Sequence, residues 1–232
     1  MATATQFKAP RSLASSVTIS TSTIKRFERE MIAGWLHQPL VVPRDEALVL
    51  THGAGSNCES PLLRAVAEAF AAAGFHVLRC DLRYRQQRPT GPPIPGGAAR
   101  DREGLLLAAI AMREFAPKVI LGGHSYGGRQ ASMLAAERPH AADALLCLSY
   151  PLHPPRKPEQ LRSGHFMDLR TPTLFIHGAR DPFGTGEEMQ VALRLIPARH
   201  HLFSVPKTGH ELSVALAPAI LQEVLSFLEM QD

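Results

Sequence analysis

The chain has 232 residues, of which 45% are hydrophobic and 20% charged. This composition is typical of a globular protein and excludes disordered, collagen-like and coiled-coil classes. No apolar run reaches the roughly 18–20 residues of a membrane span, and no signal-peptide core precedes the folded part. Cys58, Cys80 and Cys147 form no CxxC pair. This spacing argues against a disulfide framework or a zinc knuckle and favours a reducing, cytoplasmic location.

The net charge of +4 is confined to the start of the chain. Residues 1–27 contain four basic residues and no acid, so the remaining 21 basic and 21 acidic residues balance. We therefore expect no nucleic-acid partner. Residues 1–16 are rich in Ala, Ser and Thr and are predicted to be a flexible leader, with an organelle transit peptide as the alternative. Residues 17–232 are predicted to form one domain.

Two kinds of segment alternate along the chain. Residues 17–26 and 31–37 contain enough β-branched residues to predict a two-stranded hairpin. Short apolar runs then predict strands over residues 47–50, 75–79, 119–122, 144–149, 173–177 and 201–205. Longer amphipathic segments predict helices over residues 61–73, 98–115, 127–137, 187–196 and 218–230.

Strands without polar alternation are covered on both faces, and strands that alternate with helices form parallel crossovers. The pattern predicts an α/β fold with a mostly parallel, doubly wound sheet of about eight strands. In such a sheet the ligand site lies at the carboxyl ends of the strands.

The strongest motif is Gly123-His124-Ser125-Tyr126-Gly127, between a predicted strand and a predicted helix. A G-x-S-x-G sequence at this junction places the serine in a tight, strained turn that presents its hydroxyl to a substrate. The N–H of Tyr126 then begins a helix, where it is unpaired and faces an anion.

Two nucleotide-binding motifs fail at the same glycines. A P-loop requires Lys followed by Ser or Thr after Gly128, but the chain has Arg129-Gln130. The dinucleotide motif lacks its middle glycine in both possible registers. The chain also has no HExxH sequence. We therefore expect no cofactor and no metal.

A serine nucleophile needs a base, and the base needs an orienting acid. His210 follows the strand predicted at 201–205 and is the expected base, while Asp181 follows the strand at 173–177 and is the expected acid. The order Ser125, Asp181, His210 is the one expected for this sheet type. Acyl transfer also requires two oxyanion donors. We expect these to be the N–H groups of Tyr126 and of Ala54, in His52-Gly53-Ala54-Gly55.

These motifs resemble those of the α/β-hydrolases over roughly residues 20–230. The sequences Thr51-His52-Gly53-Ala54-Gly55 and Gly178-Ala179-Arg180-Asp181-Pro182-Phe183-Gly184 are similar to the small dienelactone-hydrolase-like branch with testis-expressed and chromatin-complex-subunit relatives. True dienelactone hydrolases use cysteine as the nucleophile, whereas this chain has Ser125. The resemblance implies a serine hydrolase of small esters or related acyl compounds.

The segment between the predicted strands at 144–149 and 173–177 is too short for a helical cap domain, so we expect an open pocket. His52, Arg83 and Tyr150 are the expected substrate-binding residues. Arg83 belongs to a cluster that either binds a substrate anion or forms a solvated, ion-paired face; its members are Arg79, Arg83, Arg85, Arg88, Arg100 and Arg102. The expected partner is a small acyl substrate, with no membrane. A thioesterase or peptidase with the same three residues, and a non-catalytic scaffold on the same fold, are the alternatives.

Overall fold

The computed structural model of the protein describes residues 24–230. The strands are β1 (Ile24–Arg29), β2 (Ile32–His37), β3 (Glu46–Thr51), β4 (His76–Cys80), β5 (Lys118–His124), β6 (Ala144–Leu148), β7 (Thr173–Gly178) and β8 (His200–Val205). The helices are α1 (Pro61–Ala72), α2 (Arg83–Gln87), α3 (Ala98–Met112), α4 (Tyr126–Glu137), α5 (Gly186–Leu193) and α6 (Ala217–Glu229). The predicted leader, residues 1–16, and most of the first predicted strand lie outside the described residues.

All eight strands form one sheet in the order β1-β2-β4-β3-β5-β6-β7-β8. β1 and β2 form an antiparallel hairpin, and β2 pairs antiparallel with β4. The remaining neighbours are parallel, from β4 through to β8. The predicted mostly parallel, doubly wound sheet is therefore confirmed. The carboxyl ends of β3, β5, β7 and β8 lie along one edge of this sheet, where the candidate site is found.

Two apolar cores cover the two faces of the sheet. Alternate residues of β3 belong to different cores: Ala47 and Val49 to one, Leu48 and Leu50 to the other. The first core is completed by α3, α4 and α5, and the second by α1 and α6. Central strands are thus buried on both sides, as their uninterrupted apolar sequences predict.

The structure differs from the predicted elements in several places, including α5, which ends at Leu193 rather than at residue 196. β1 extends to Arg29, three residues beyond the predicted end. α3 ends at Met112 rather than at residue 115, because the N–H of Phe115 donates to the Met112 carbonyl and tightens the chain into a turn. α2 has only five residues, RYRQQ, and no apolar periodicity from which a helix could be predicted.

The segment after β6 forms no cap domain. Residues 149–172 are a loop that contains a single turn of 3-10 helix, Phe166–Asp168. Within residues 24–230, none of the helices is both long and apolar enough to span a membrane.

Candidate active site

Ser125 lies in a strained turn between β5 and α4. Its φ is +51°, a left-handed conformation that non-glycine residues rarely adopt. Close approach explains the flanking glycines: a Cβ on Gly123 would lie 2.8 Å from the Gly127 backbone, and one on Gly127 would lie 2.7 Å from the His52 carbonyl oxygen. The N–H of Ser125 donates to the carbonyl of Leu148 at 2.8 Å and fixes the turn to β6.

The side chains of Ser125, His210 and Asp181 form a hydrogen-bonded line. His210 Nδ1 lies 2.7 Å from Asp181 Oδ2, and His210 Nε2 lies 2.8 Å from Ser125 Oγ. A carboxylate only accepts, so Nδ1 carries the proton and Nε2 is free to accept from the serine hydroxyl. The expected nucleophile, base and acid are therefore brought together, although they lie on three separate loops.

Asp181 is held by groups other than His210. Its side chain is buried, and Oδ1 accepts a hydrogen bond from the N–H of Phe183 at 2.8 Å. The Phe183 ring packs on the His210 imidazole with centroids 4.3 Å apart. His177 Nε2 donates to the Gly184 carbonyl at 2.6 Å, and burial lowers the His177 pKa. Neutral His177 thus closes the turn around Asp181 without competing for its charge.

The peptide between Gly53 and Ala54 is oriented by its carbonyl. Gly53 O accepts from His52 Nδ1 at 2.9 Å and from the Tyr84 hydroxyl at 3.3 Å. His52 Nε2 in turn accepts from the N–H of Leu82 at 3.1 Å, which fixes this tautomer. In a trans peptide the N–H points opposite to the carbonyl, so the Ala54 N–H is directed away from these partners. In the described part of the chain it donates to no other protein group.

The 52–56 loop is also braced from behind by α2. The hydroxyl of Tyr84 donates to the Ala54 carbonyl at 2.8 Å. Arg85 donates to the carbonyls of Ala54 at 3.0 Å and Ser56 at 2.7 Å. The N–H of Tyr84 and the hydroxyl of Tyr126 both donate to buried Asp101, each at 2.9 Å. One carboxylate therefore connects the brace to the helix that follows Ser125.

A cavity of about 680 Å³ opens above Ser125. It is lined by the 53–56 loop, by residues 124–126 and by Ser60, Pro93, Arg129, Pro151, Arg162, Phe183, His210 and Glu211. The first residue of α4, Tyr126, donates from its N–H to no other group in residues 24–230. The two expected oxyanion donors, Ala54 and Tyr126, thus both line the cavity with free N–H groups.

The three expected substrate-binding residues do not line this cavity. His52 is fully buried and orients the Gly53 carbonyl. Tyr150 is fully buried, and its hydroxyl donates to the Arg162 carbonyl at 2.7 Å. Arg83 lines a separate depression beside α2 and bonds Gln86 at 2.9 Å. His52 and Tyr150 are buried, and their polar atoms form hydrogen bonds with backbone groups. Their positions in the sequence alone do not reveal this.

The arginine cluster is neither a solvated face nor a substrate site as a whole. Arg79 and Arg85 are buried. Arg79 donates to His37 Nε2 at 2.9 Å and to the Cys58 carbonyl. Arg102 pairs with Glu137 at 2.9 Å on the surface. The two buried arginines therefore donate hydrogen bonds to backbone carbonyls of the segment before α1.

Sequence reasoning missed Arg129 and Arg162, which do line the cavity. Arg129 was detectable, because it lies four residues after Ser125 and so on the same side of α4. Arg162 was not, since its position depends on the path of the loop after β6. Among residues 24–230, no group of three or more His, Cys, Asp or Glu side chains has a metal-binding arrangement.

Comparison with known proteins agrees with this fold. The family model "Alpha/beta hydrolase domain" matches residues 44–219. TT1662 from Thermus thermophilus is 22% identical, with a TM-score of 0.71 over 91% of this chain and 98% of its own. A dienelactone hydrolase from Anabaena variabilis is 23% identical, with a TM-score of 0.69 over 90% and 98%. The Pyrococcus furiosus esterase PF2001 is 17% identical, with a TM-score of 0.66 over 90% and 91%.

Proposed function

Because the chain belongs to the α/β-hydrolase family, we propose that it is a serine hydrolase of the carboxylesterase type that cleaves small acyl esters. The observation that carries this proposal is the line from Ser125 Oγ to His210 Nε2 at 2.8 Å and from His210 Nδ1 to Asp181 at 2.7 Å. The esterase and the dienelactone hydrolase among the structures of similar fold support a hydrolase.

In the first half-reaction, Ser125 Oγ attacks the ester carbonyl while His210 Nε2 accepts the hydroxyl proton. Buried Asp181 stabilises the imidazolium that forms. The negative charge that develops on the carbonyl oxygen is stabilised by the N–H groups of Ala54 and Tyr126. When the tetrahedral intermediate collapses, His210 returns the proton to the leaving alcohol and an acyl-enzyme remains on Ser125.

In the second half-reaction, water replaces the alcohol. His210 accepts a proton from the water as it attacks the acyl-enzyme, and the same two N–H groups stabilise the second oxyanion. Collapse releases the carboxylic acid, and the proton returns to Ser125. No other reactant is required, and the cavity is open enough for the water to enter without a lid movement.

The test is hydrolysis of p-nitrophenyl esters of graded acyl length, together with labelling by a fluorophosphonate probe. Ser125→Ala is expected to lower kcat about 10⁴-fold or more and to abolish labelling. Ser226→Ala is the matched control, because Ser226 is exposed on α6, outside the cavity. A folded wild-type protein that neither labels nor turns over any ester would contradict the proposal and favour the scaffold alternative.

Matched thioester and anilide substrates separate the related activities. The three side chains are the same for a thioesterase or a peptidase, so only the leaving group distinguishes them. We expect oxygen esters to give the highest kcat/KM, and a preference for thioesters or amides would replace esterase by one of those alternatives. The expected cytoplasmic location also remains a proposal. Its support is that all three cysteines are buried free thiols.

A further inference from the structure

Two arginines of the cavity wall have no role in the proposed acyl transfer. Arg129 lies on α4 one turn after the nucleophile, and its N–H donates to the Ser125 carbonyl at 3.0 Å. Arg162 lines the same cavity from the loop after β6. Both are partly buried. The cavity therefore has two cationic side chains next to the serine that would attack an ester.

Neither arginine is neutralised within the described chain. No carboxylate of residues 24–230 lies within 4.0 Å of either guanidinium, whereas seven other arginines form ion pairs: Arg26, Arg29, Arg44, Arg64, Arg79, Arg102 and Arg113. Arg129 Nε is buried without a hydrogen-bond partner. Arg162 donates only one long bond, to the Pro151 carbonyl at 3.5 Å. A partly buried, unpaired guanidinium is costly, and an arriving anion would remove that cost.

The two charges also act on one another. Burial, and then the charge of Arg129, lower the pKa of Arg162. Two like charges on one cavity wall repel each other, and a bound anion would relieve that repulsion. The arrangement has the chemistry of a binding site rather than of a structural ion pair.

The position of Arg162 is fixed by the backbone around it. Its N–H donates to the Leu152 carbonyl at 2.7 Å, and its carbonyl accepts from the buried Tyr150 hydroxyl at 2.7 Å. Tyr150, which does not reach the cavity, thus positions a residue that does. Because the backbone N–H and carbonyl of Arg162 are both held, ligand binding needs to order only the Arg162 side chain and not the loop that carries it.

The cavity lining carries one acidic side chain besides these arginines. Among the lining residues of the described chain, Glu211 is the one carboxylate. It follows His210 in the chain, and its charge acts on His124, whose pKa it raises against the larger, lowering effect of burial. A negatively charged substrate group would be repelled by Glu211 and attracted by Arg129 and Arg162.

We propose that Arg129 and Arg162 form an anion subsite, and that the substrate is an ester carrying a carboxylate in addition to its scissile bond. This inference rests on the proposed function. A guanidinium binds a carboxylate through paired, charge-assisted hydrogen bonds. The carboxylate is carried either by the acyl chain or by the leaving alcohol, and the experiment has an arm for each.

The experiment measures kcat/KM for matched charged and neutral esters. In the acyl arm, 4-nitrophenyl hydrogen glutarate is compared with 4-nitrophenyl valerate; in the alcohol arm, 4-carboxyphenyl valerate is compared with 4-acetylphenyl valerate. We expect the charged ester to be preferred roughly tenfold to a hundredfold in one arm. Arg129→Gln and Arg162→Gln should each move that ratio towards one, and added salt should reduce it.

Arg194→Gln is the matched control, because it removes the same charge from an exposed position outside the cavity. It should leave the ratio unchanged. Circular dichroism and thermal unfolding of each variant show whether it folds. Ratios near one in both arms of the wild type, or a preference that survives both cavity substitutions, would overturn the inference while leaving the esterase proposal standing.

A binding measurement keeps the inference testable if no ester is turned over. Titration of Ser125→Ala with glutarate and with valerate isolates the effect of the second carboxylate. Glutarate should bind at least tenfold more tightly, and Arg129→Gln in the same background should remove the difference. Equal affinities would contradict the anion subsite, independently of whether the protein is an esterase.

Discussion

Two pairs of arginines lie on opposite sides of the loop that precedes α1, and they differ in what their guanidinium groups contact. Arg79 and Arg85, behind the loop, donate to backbone carbonyls between residues 54 and 58. In the cavity, Arg129 Nε has no hydrogen-bond partner, and Arg162 makes a single long bond to the Pro151 carbonyl at 3.5 Å. A satisfied guanidinium holds the fold together, whereas an unsatisfied one is available to a ligand. The hydrogen-bond partners of an arginine therefore distinguish a structural role from a ligand-binding one, whereas its nearness to other arginines in the sequence does not.

Arg79→Met should give the largest effect on stability. The variant leaves the Cys58 carbonyl and His37 without their buried donor, so we expect the free energy of unfolding to fall by about 3 kcal/mol. Urea unfolding measures this loss, and Arg194→Gln should change it by less than about 0.5 kcal/mol. The ratio of charged to neutral ester hydrolysis should stay at the wild-type value. If that ratio collapsed while stability were unchanged, the two pairs would have been assigned the wrong roles.

The second prediction concerns the acid stability of the Arg79 contact. Burial, and then the charge of Arg79, lower the pKa of His37 from 6.5 to about 4. The unfolded chain therefore takes up the proton first, and His37 should contribute a decrease of about 2 kcal/mol to the unfolding free energy as the pH falls from 6.5 towards 4. Urea unfolding across this range should show a flatter profile for His37→Gln.

His165 is the internal reference for this measurement. Burial also lowers its pKa to about 4, and its Nε2 lies 2.8 Å from Ser132 Oγ. It contributes the same acid sensitivity to the wild type and to His37→Gln, so it cancels in the difference. Parallel profiles for the two proteins would mean that His37 is not the group that titrates.

The smallest effect is expected from Tyr84→Phe. The hydroxyl contributes bonds to the carbonyls of Ala54 and Gly53, but Arg85 still holds Ala54. We expect kcat to fall fivefold to tenfold, about 1 kcal/mol, with little change in KM, because the Ala54 N–H is used mainly in the transition state. Steady-state kinetics with p-nitrophenyl butyrate separates the two constants. A change confined to thermal stability would show that Tyr84 only supports the fold.

The order of strands and helices was predictable because each central strand is buried on both faces. An uninterrupted apolar run of five residues, such as ALLCL in β6, is typical of a strand that is covered on both faces. The positions of Ser125, Asp181 and His210 followed from the same pattern, since each comes after the end of a strand. The ends of helices were less predictable where a hydrogen bond to the third residue back replaces the helical bond to the fourth, as at Phe115.

Substrate contacts were not predictable, because they depend on which side of a loop faces the cavity. Tyr150 and Arg162 illustrate this. They are twelve residues apart and joined by one hydrogen bond, yet only the arginine reaches the cavity. The bond that decides this is made by a backbone carbonyl, which leaves no trace in residue type. The same reason explains why His52, next to the glycines of the loop, is a buried structural group.

The strained conformation of Ser125 has a consequence for the evolution of the protein. A non-glycine residue at positive φ costs on the order of 1 kcal/mol or more, and glycine would occupy the same turn without that cost. The most stable sequence for this backbone is therefore not the reactive one. Stability and reactivity are opposed at this residue, so stabilising mutations compatible with catalysis must be sought elsewhere in the chain.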